Sequence, residues 1–405
     1  MKHKATEGVQ KKRLLPVIKK LAPLVVSAAI IFTAGWLVGG GRLSLRGYNA
    51  VKENSSLPSK LDYSSVDTIY QSIRDNYDGK LDEATLLNGL KSGLAKATGD
   101  PYTEFFNADD AKDFYEQLDG TFEGIGAELG KDDNDNVVII APISGYPAEK
   151  AGLQPKDIIA QIDEESTNGF SIDDAVKLIR GKAGTTVKLT IVRDGTPQEI
   201  SITREAISIP SVKSEIKDGI GIVTISRFGD DTAKLTQDAA KSFKDQNVKG
   251  VVLDLRSNPG GLLDSAVSVS SLWLKNKTVL TERRDNTVIQ TYSSRGTATL
   301  AGIPTVVLIN SGSASASEIT AGALHDNNVA TLIGEKSYGK GSVQQPIDLK
   351  DGSLLKVTIA RWFTPAGKNI DKEGIEPDTE VKLSSDDIKN KVDPQLDAAL
   401  TKLKN

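Results

Sequence analysis

The stretch S-G-S-A-S-A-S-E, Ser311 to Glu318, sets four serines on alternate positions just before a segment that reads as a helix. A serine hydroxyl becomes a nucleophile only when a neighbouring group takes its proton. Histidine is the usual acceptor, and the 405-residue chain has two, His3 and His325, with no cysteine. His325 lies ten residues past Ser315, ~15 Å along a helix axis, out of reach of a serine at the helix start. His3 precedes an apolar segment that separates it from the rest of the chain. A Ser-His-Asp triad is thereby excluded, as is a zinc site of the HExxH type, and neither metal nor cofactor is expected. The base must be a lysine or a carboxylate. Lysine can serve when burial strips water from its ammonium and lowers its pKa toward neutrality.

G-E-K-S-Y-G-K-G-S-V-Q-Q-P, Gly334 to Pro346, offers Lys340 between two glycines. The same stretch has the G-x4-G-K spacing of a phosphate loop. That loop needs Ser or Thr after the lysine and a helix behind it, whereas Gly341 follows here and the next segment is strand-like. A lysine between glycines suits a side chain held in a tight turn, with a solvated surface lysine as the plainer alternative. In D-L-R-S-N-P-G-G, Asp254 to Gly261, a strand runs into a helix through two glycines. Glycines there can aim N–H groups at a developing oxyanion, or simply make the turn.

Taken together, G-S-A-S-A-S-E-I, G-K-G-S-V-Q and R-S-N-P-G-G, with G-I-G-A-E-L upstream, resemble the carboxy-terminal processing proteases, also called tail-specific proteases. The resemblance spans about residues 60–405. It implies a serine endopeptidase that cleaves proteins near apolar C-terminal tails, with Ser315 as nucleophile, Lys340 as its base and Gln344 orienting the lysine. It places oxyanion donors at Ala316 and at one of Gly260 and Gly261. It further implies a core similar to the Clp protease and crotonase type, an inserted PDZ domain that recruits protein substrates, and a homodimer. G-T-F-E-G-I-G-A-E-L-G resembles the PDZ carboxylate-binding loop, at Gly124, Ile125 and Gly126. Ile172, Val176 and Ile179 would line its apolar pocket, with plain core as the alternative for the last two. The usual Ser-Pro-Ala and Pro-Gly-Asp of that domain are Tyr146-Pro147-Ala148 and Pro155-Lys156-Asp157 here. A silent PDZ scaffold is the rival from another class, and it would have no need of Ser315, Lys340 and Gln344 together.

The elements that must position these residues follow from pattern. At 38% hydrophobic the chain can bury two or three cores, and the fold class is α/β and multi-domain. The first 20 residues hold seven Lys/Arg against one Glu, so within a formal net charge of −4 the body is acidic, which excludes nucleic acid as partner. Leu21 to Val38 carry no charge and extend ~27 Å as a helix, enough to span a bilayer. The basic run before them stays cytoplasmic, so the body lies on the extracytoplasmic side of a bacterial cell membrane, held by a single-pass anchor. A cleaved signal peptide is the rival, and it exports the body equally. The expected order is a basic segment over 1–20, a transmembrane anchor over 21–41, a linker over 42–59 and helices over 60–118. A PDZ domain over 119–207, a protease core over 208–384 and a closing helix over 385–405 follow. Asp194-Gly195 reads as a hairpin turn, Ser171 as a helix N-cap, and "GDPYTEFF" as a turn between helices.

Overall fold

A computed structural model describes residues 57–285 and 287–404. The apolar stretch Leu21–Val38 and its basic flank fall outside them, and among the described residues no helix is long and apolar enough to cross a membrane. Two compact units divide at Gly79. The first contains the helix Ser64–Asn76, which buries none of its residues and leaves Ile69 and Tyr70 exposed.

The second unit opens with the helices Glu83–Lys96 and Ala108–Asp119. Between them the sequence reads as a turn, but the chain also forms a short strand there, Glu104–Phe106. Its partner is the strand Leu354–Phe363, some 250 residues away, so no local pattern announces it.

A β-domain follows from Thr121 to Ser208. Its hairpin of Thr186–Arg193 and Thr196–Thr203 turns through Asp194 and Gly195, both at positive φ (49° and 76°), the backbone that a two-residue turn between twisted strands demands. The helix Ile172–Ile179 starts at a reciprocal cap: the Asp174 N–H donates to Ser171 Oγ at 3.2 Å, and the Ser171 N–H donates to Asp174 Oδ2 at 3.0 Å. Ile139, Ile159, Ile162, Leu189 and Ile191 form the core of this domain.

The remaining chain builds a six-stranded sheet in which Ile220–Ile225, Gly250–Asp254, Thr305–Ile309 and Ala330–Gly334 run parallel as neighbours. Alternate side chains go to opposite faces. Val251, Leu253 and Val307 pack under the helices Thr232–Asp245, Leu263–Ser270 and Ala316–Asp326, while Val252, Val306 and Leu308 meet Ala399 and Leu400 of the closing helix Pro394–Lys404. A second, antiparallel sheet pairs Leu354–Phe363 with Ser342–Asp348 and with Thr278–Arg284.

Candidate active site

Three adjacent parallel strands, Gly250–Asp254, Thr305–Ile309 and Ala330–Gly334, each lead at their carboxyl end into one of the three motifs, a usual place for a site in such sheets. The topology therefore gathers N-P-G-G, S-A-S-A-S-E and G-K-G at one edge.

The serines separate by burial. Ser311 is exposed. Ser313 is fully buried; its Oγ donates to the Leu255 carbonyl at 2.8 Å and accepts from the Asn310 N–H at 3.0 Å. Ser317 is also fully buried and donates to the Asn258 carbonyl at 2.9 Å. Of the four serines Ser315 alone is partly exposed, and its hydroxyl proton has no acceptor among the described residues. It stands at the N-terminus of the helix Ala316–Asp326 with φ 51° and ψ −112°, a conformation that side chains rarely adopt. Such strain persists where the surroundings over-determine it.

The surroundings here centre on a residue that motif reading passed over, Glu318. Its carboxylate is completely buried and accepts four hydrogen bonds. Oε2 takes the N–H of Ser315 (2.8 Å) and the N–H of Lys340 (3.0 Å); Oε1 takes the hydroxyl of Ser337 (2.6 Å) and the N–H of Gly339 (2.7 Å). One oxygen thus ties the serine turn to the lysine turn. Burial pushes the Glu318 carboxyl above its ordinary range, against the four bonds that favour its charged form. The Glu three residues after Ser315 was the available signal, because Ser-x-x-Glu is a helix-capping spacing.

The glycines around Lys340 are set by close approach. A Cβ on Gly339 would come within 2.8 Å of the Gly374 nitrogen, and one on Gly341 within 2.7 Å of the Asp371 nitrogen. The Lys340 carbonyl accepts from Trp362 Nε1 at 2.9 Å, which completes the fixing of its backbone. Its side chain is half-buried, with Nζ 5.2 Å from the centre of the Tyr102 ring. Burial holds the Lys340 ammonium below its ordinary value and nearby Lys356 adds to this, while Glu104, Glu318 and Asp100 oppose it. Gln344 lies on the strand Ser342–Asp348, and its Nε2 donates to the Tyr102 carbonyl at 2.5 Å.

Gly260 packs on the serine turn so closely that a Cβ there would meet the Ala314 oxygen and Ser315 Cβ, each at 2.8 Å. Its N–H is already given to Asn258 Oδ1 at 2.9 Å. The N–H groups of Gly261 and Ala316 have no acceptor among the described residues. Arg256, in the same loop, donates to Asp254, Asp393 and Gln395, fastening the strand end to the closing helix. His325 faces Asp378 at 3.1 Å from the last turn of its helix, with Ser315 preceding the first.

The residues singled out in the β-domain form a separate group. Gly124 ends the strand Thr121–Gly124, and the Ile125 and Gly126 N–H groups have no acceptor among the described residues. Gly126 needs its positive φ of 73°, and a Cβ there would fall 2.6 Å from Tyr146 Cβ. Ile172 is exposed and Val176 half-buried, but Ile179 is in the core, 5% exposed. The helix turns Ile179 into the core of this domain.

Comparison with known proteins agrees with this architecture. Peptidase family S41 matches residues 219–381 and a PDZ domain matches residues 138–193. The carboxy-terminal processing protease CtpA of Bacillus subtilis is 38% identical over 367 residues, covering 90% of this chain and 77% of that protein. A CtpA-like serine protease of Staphylococcus haemolyticus is 40% identical over 362 residues, covering 88% and 72%. The crystal structure of a protein described as an S41 protease from Bacteroides fragilis superposes with a TM-score of 0.55 at 18% identity, over 86% of this chain and 99% of that one, a likeness of fold. With its PDZ domain and its relatives along nearly the whole length, the chain belongs to peptidase family S41 and is a serine peptidase of the carboxy-terminal processing type.

Proposed function

We propose that the protein is a membrane-anchored, exported endopeptidase that works through Ser315 and Lys340 and recruits substrates by their C-terminal tails. One observation carries this reading: Ser315 is half-exposed with its hydroxyl proton unengaged, while Ser313 and Ser317 spend theirs in the core. The Ser315 oxygen attacks the scissile carbonyl carbon as neutral Lys340 takes the hydroxyl proton. The oxygen that becomes negative is received by the N–H groups of Ala316 and of one glycine of the pair; we take Gly261, because the Gly260 N–H is given to Asn258. Collapse breaks the C–N bond, and the lysine returns the proton to the leaving amine. Water, giving a proton to the same lysine, then attacks the acyl carbon; the bond to the Ser315 oxygen breaks, and the lysine returns the proton to that oxygen. No step calls on a metal.

In the PDZ domain the free N–H groups of Ile125 and Gly126 suit a terminal carboxylate, and Ile172 and Val176 an apolar last side chain. Residues 21–41 anchor the chain, with the catalytic body on the extracytoplasmic face of a bacterial membrane, and two copies associate. A fluorophosphonate probe should label Ser315, and Ser315→Ala should abolish both labelling and peptide cleavage while Ser313→Ala keeps them. Labelling of wild type at another serine would refute the assignment.

A further inference from the structure

The segment Asp100–Phe106 arrives at the base from far away in the chain. Its strand Glu104–Phe106 pairs with Leu354–Phe363, and Tyr102 touches the site twice. The Tyr102 carbonyl accepts from Gln344 Nε2 at 2.5 Å, and its ring centre lies 5.2 Å from Lys340 Nζ. The segment is pinned on both sides of Tyr102. Thr103 Oγ1 donates to Asp100 Oδ2 (2.7 Å) and accepts the Thr358 N–H (3.2 Å), and Lys356 Nζ donates to Glu104 Oε2 (2.5 Å).

A side-chain amide has one acceptor oxygen and one NH2 donor. With Nε2 turned onto the Tyr102 carbonyl, Gln344 Oε1 is left as the acceptor, the polarity required to receive an N–H from a neutral lysine. The ring meanwhile occupies space beside Nζ that water would otherwise fill. We propose that Tyr102 is a positioning residue for the peptidase reaction, its carbonyl setting the orientation of the Gln344 amide and its ring keeping water from Lys340. The proposal rests on the reading of Lys340 as the base.

The charged groups facing Lys340 come from every element around it. Lys356 stands on the strand Leu354–Phe363, Glu104 and Asp100 on the Tyr102 segment, and Glu318 on the serine helix. Asp371 takes the Gly341 N–H and pairs with Arg361 at 3.5 Å, and Tyr338 lies two residues before Lys340. The ring acts in two opposed ways. Excluding water favours the neutral amine, whereas the negative ring face favours the ammonium. The covering role requires that the water excluded by the ring outweigh the pull of its face, so the direction of the shift on removing it decides.

The test compares kcat/KM against pH for the full chain, using a fluorogenic peptide with wild type, Tyr102→Phe, Tyr102→Leu, Tyr102→Ala and Lys340→Ala. Activity rises with pH as the base loses its proton. Removing the ring should move that rise upward by about one pH unit in Tyr102→Ala, with about a tenfold loss at pH 7 that recovers at higher pH. Recovery is what a merely damaged fold would not give. Tyr102→Phe retains both cover and ring and should keep the wild-type midpoint, and Tyr102→Leu, which retains an apolar cover but loses the ring face, should keep or lower it; a raised midpoint in Tyr102→Leu overturns the covering role even if Tyr102→Ala fails to fold. An unmoved or lowered midpoint in Tyr102→Ala, with Lys340→Ala inactive, overturns the role of Tyr102 and leaves the Ser-Lys reading standing. Wild-type turnover in Lys340→Ala overturns that reading itself.

Discussion

The serine turn and the PDZ loop both present backbone N–H groups without an acceptor among the described residues, yet they are held in different ways. At the serine turn the backbone is strained at Ser315 and fixed by a buried carboxylate that reaches both motifs, with Asn258 bridging the loops below. At the PDZ loop the strain falls on a glycine, and the support is apolar packing on Tyr146 and Ile207 plus two backbone bonds, from Ile143 to Gly126 and from Ala148 to Ile125. Chemistry demands reacting atoms placed to a fraction of an ångström, which directional bonds to a charge can enforce. Recruitment, as proposed for the PDZ loop, demands only that a carboxylate find donors, and a softer support is enough.

The strongest way to break this contrast is at Glu318. In Glu318→Gln the shape is kept, but an NH2 group replaces one oxygen and confronts two of the four donors now satisfied. The serine and lysine turns should separate slightly, and kcat/KM should fall by about a hundredfold or more, the scale of a misplacement near 1 Å. The free energy of tail binding, measured on the inactive Ser315→Ala background, should not move. A Glu318→Gln enzyme of wild-type activity would mean that the carboxylate is core filling.

Next in size is the converse experiment at the PDZ loop. A terminal carboxylate can accept the free N–H groups of Ile125 and Gly126, and an amidated terminus loses the charge and one acceptor. For matched peptides with an apolar last residue, amidation should weaken capture by on the order of 1–3 kcal/mol. The loss should appear at subsaturating substrate, leave kcat unchanged, and vanish when residues 120–207 are deleted. Equal rates for acid and amide would make this an enzyme that selects by internal sequence.

What the sequence discloses and what it hides follow the same division. Ser171 and Asp194-Gly195 answer local demands of cap and turn, so their roles can be read from neighbours in the chain, whereas the glycines beside Lys340 answer the close approach of Asp371 and Gly374, which only the fold brings near. The serine spacing by itself named a place without a residue; the resemblance pointed to Ser315, and burial is the physical difference that sets it apart from Ser313 and Ser317. The partner of Gln344 could not be foreseen. It is a backbone carbonyl, and its position depends on Glu104 pairing with Lys356 across more than half the chain. Ile179 shows the limit of periodicity: the helix spacing puts it in line with Ile172 and Val176, but only the packed sheet decides which of the three is covered.

A smaller effect would sharpen the account of the serines. Ser313→Ala removes a hydroxyl that bridges the Leu255 carbonyl and the Asn310 N–H in a place water does not reach. The cost should be about 1–3 kcal/mol of folding stability, seen in chemical denaturation, with turnover near that of wild type once the protein is folded. A large loss of turnover without a loss of stability would shift attention from Ser315 to Ser313.

The smallest expected effect asks whether the two regions are independent. The PDZ helix Ile172–Ile179 has only eight residues, so its cap is a large share of what fixes it. Ser171→Ala removes the acceptor of the Asp174 N–H and the hydroxyl that donates to Asp174 Oδ2 at 2.7 Å, which should cost about 1 kcal/mol of stability in that domain. Ile172 and Val176 ride on the same helix, so binding of a free-acid tail should weaken by no more than this amount. The Glu318 cluster lies in another core and shares no hydrogen bond with Ser171, so kcat at saturating peptide should be unchanged. Comparing kcat with kcat/KM for Ser171→Ala separates the outcomes. A fall confined to kcat/KM means the PDZ domain acts through capture alone, whereas an equal fall in kcat would show that the helix also sets the geometry of the serine turn.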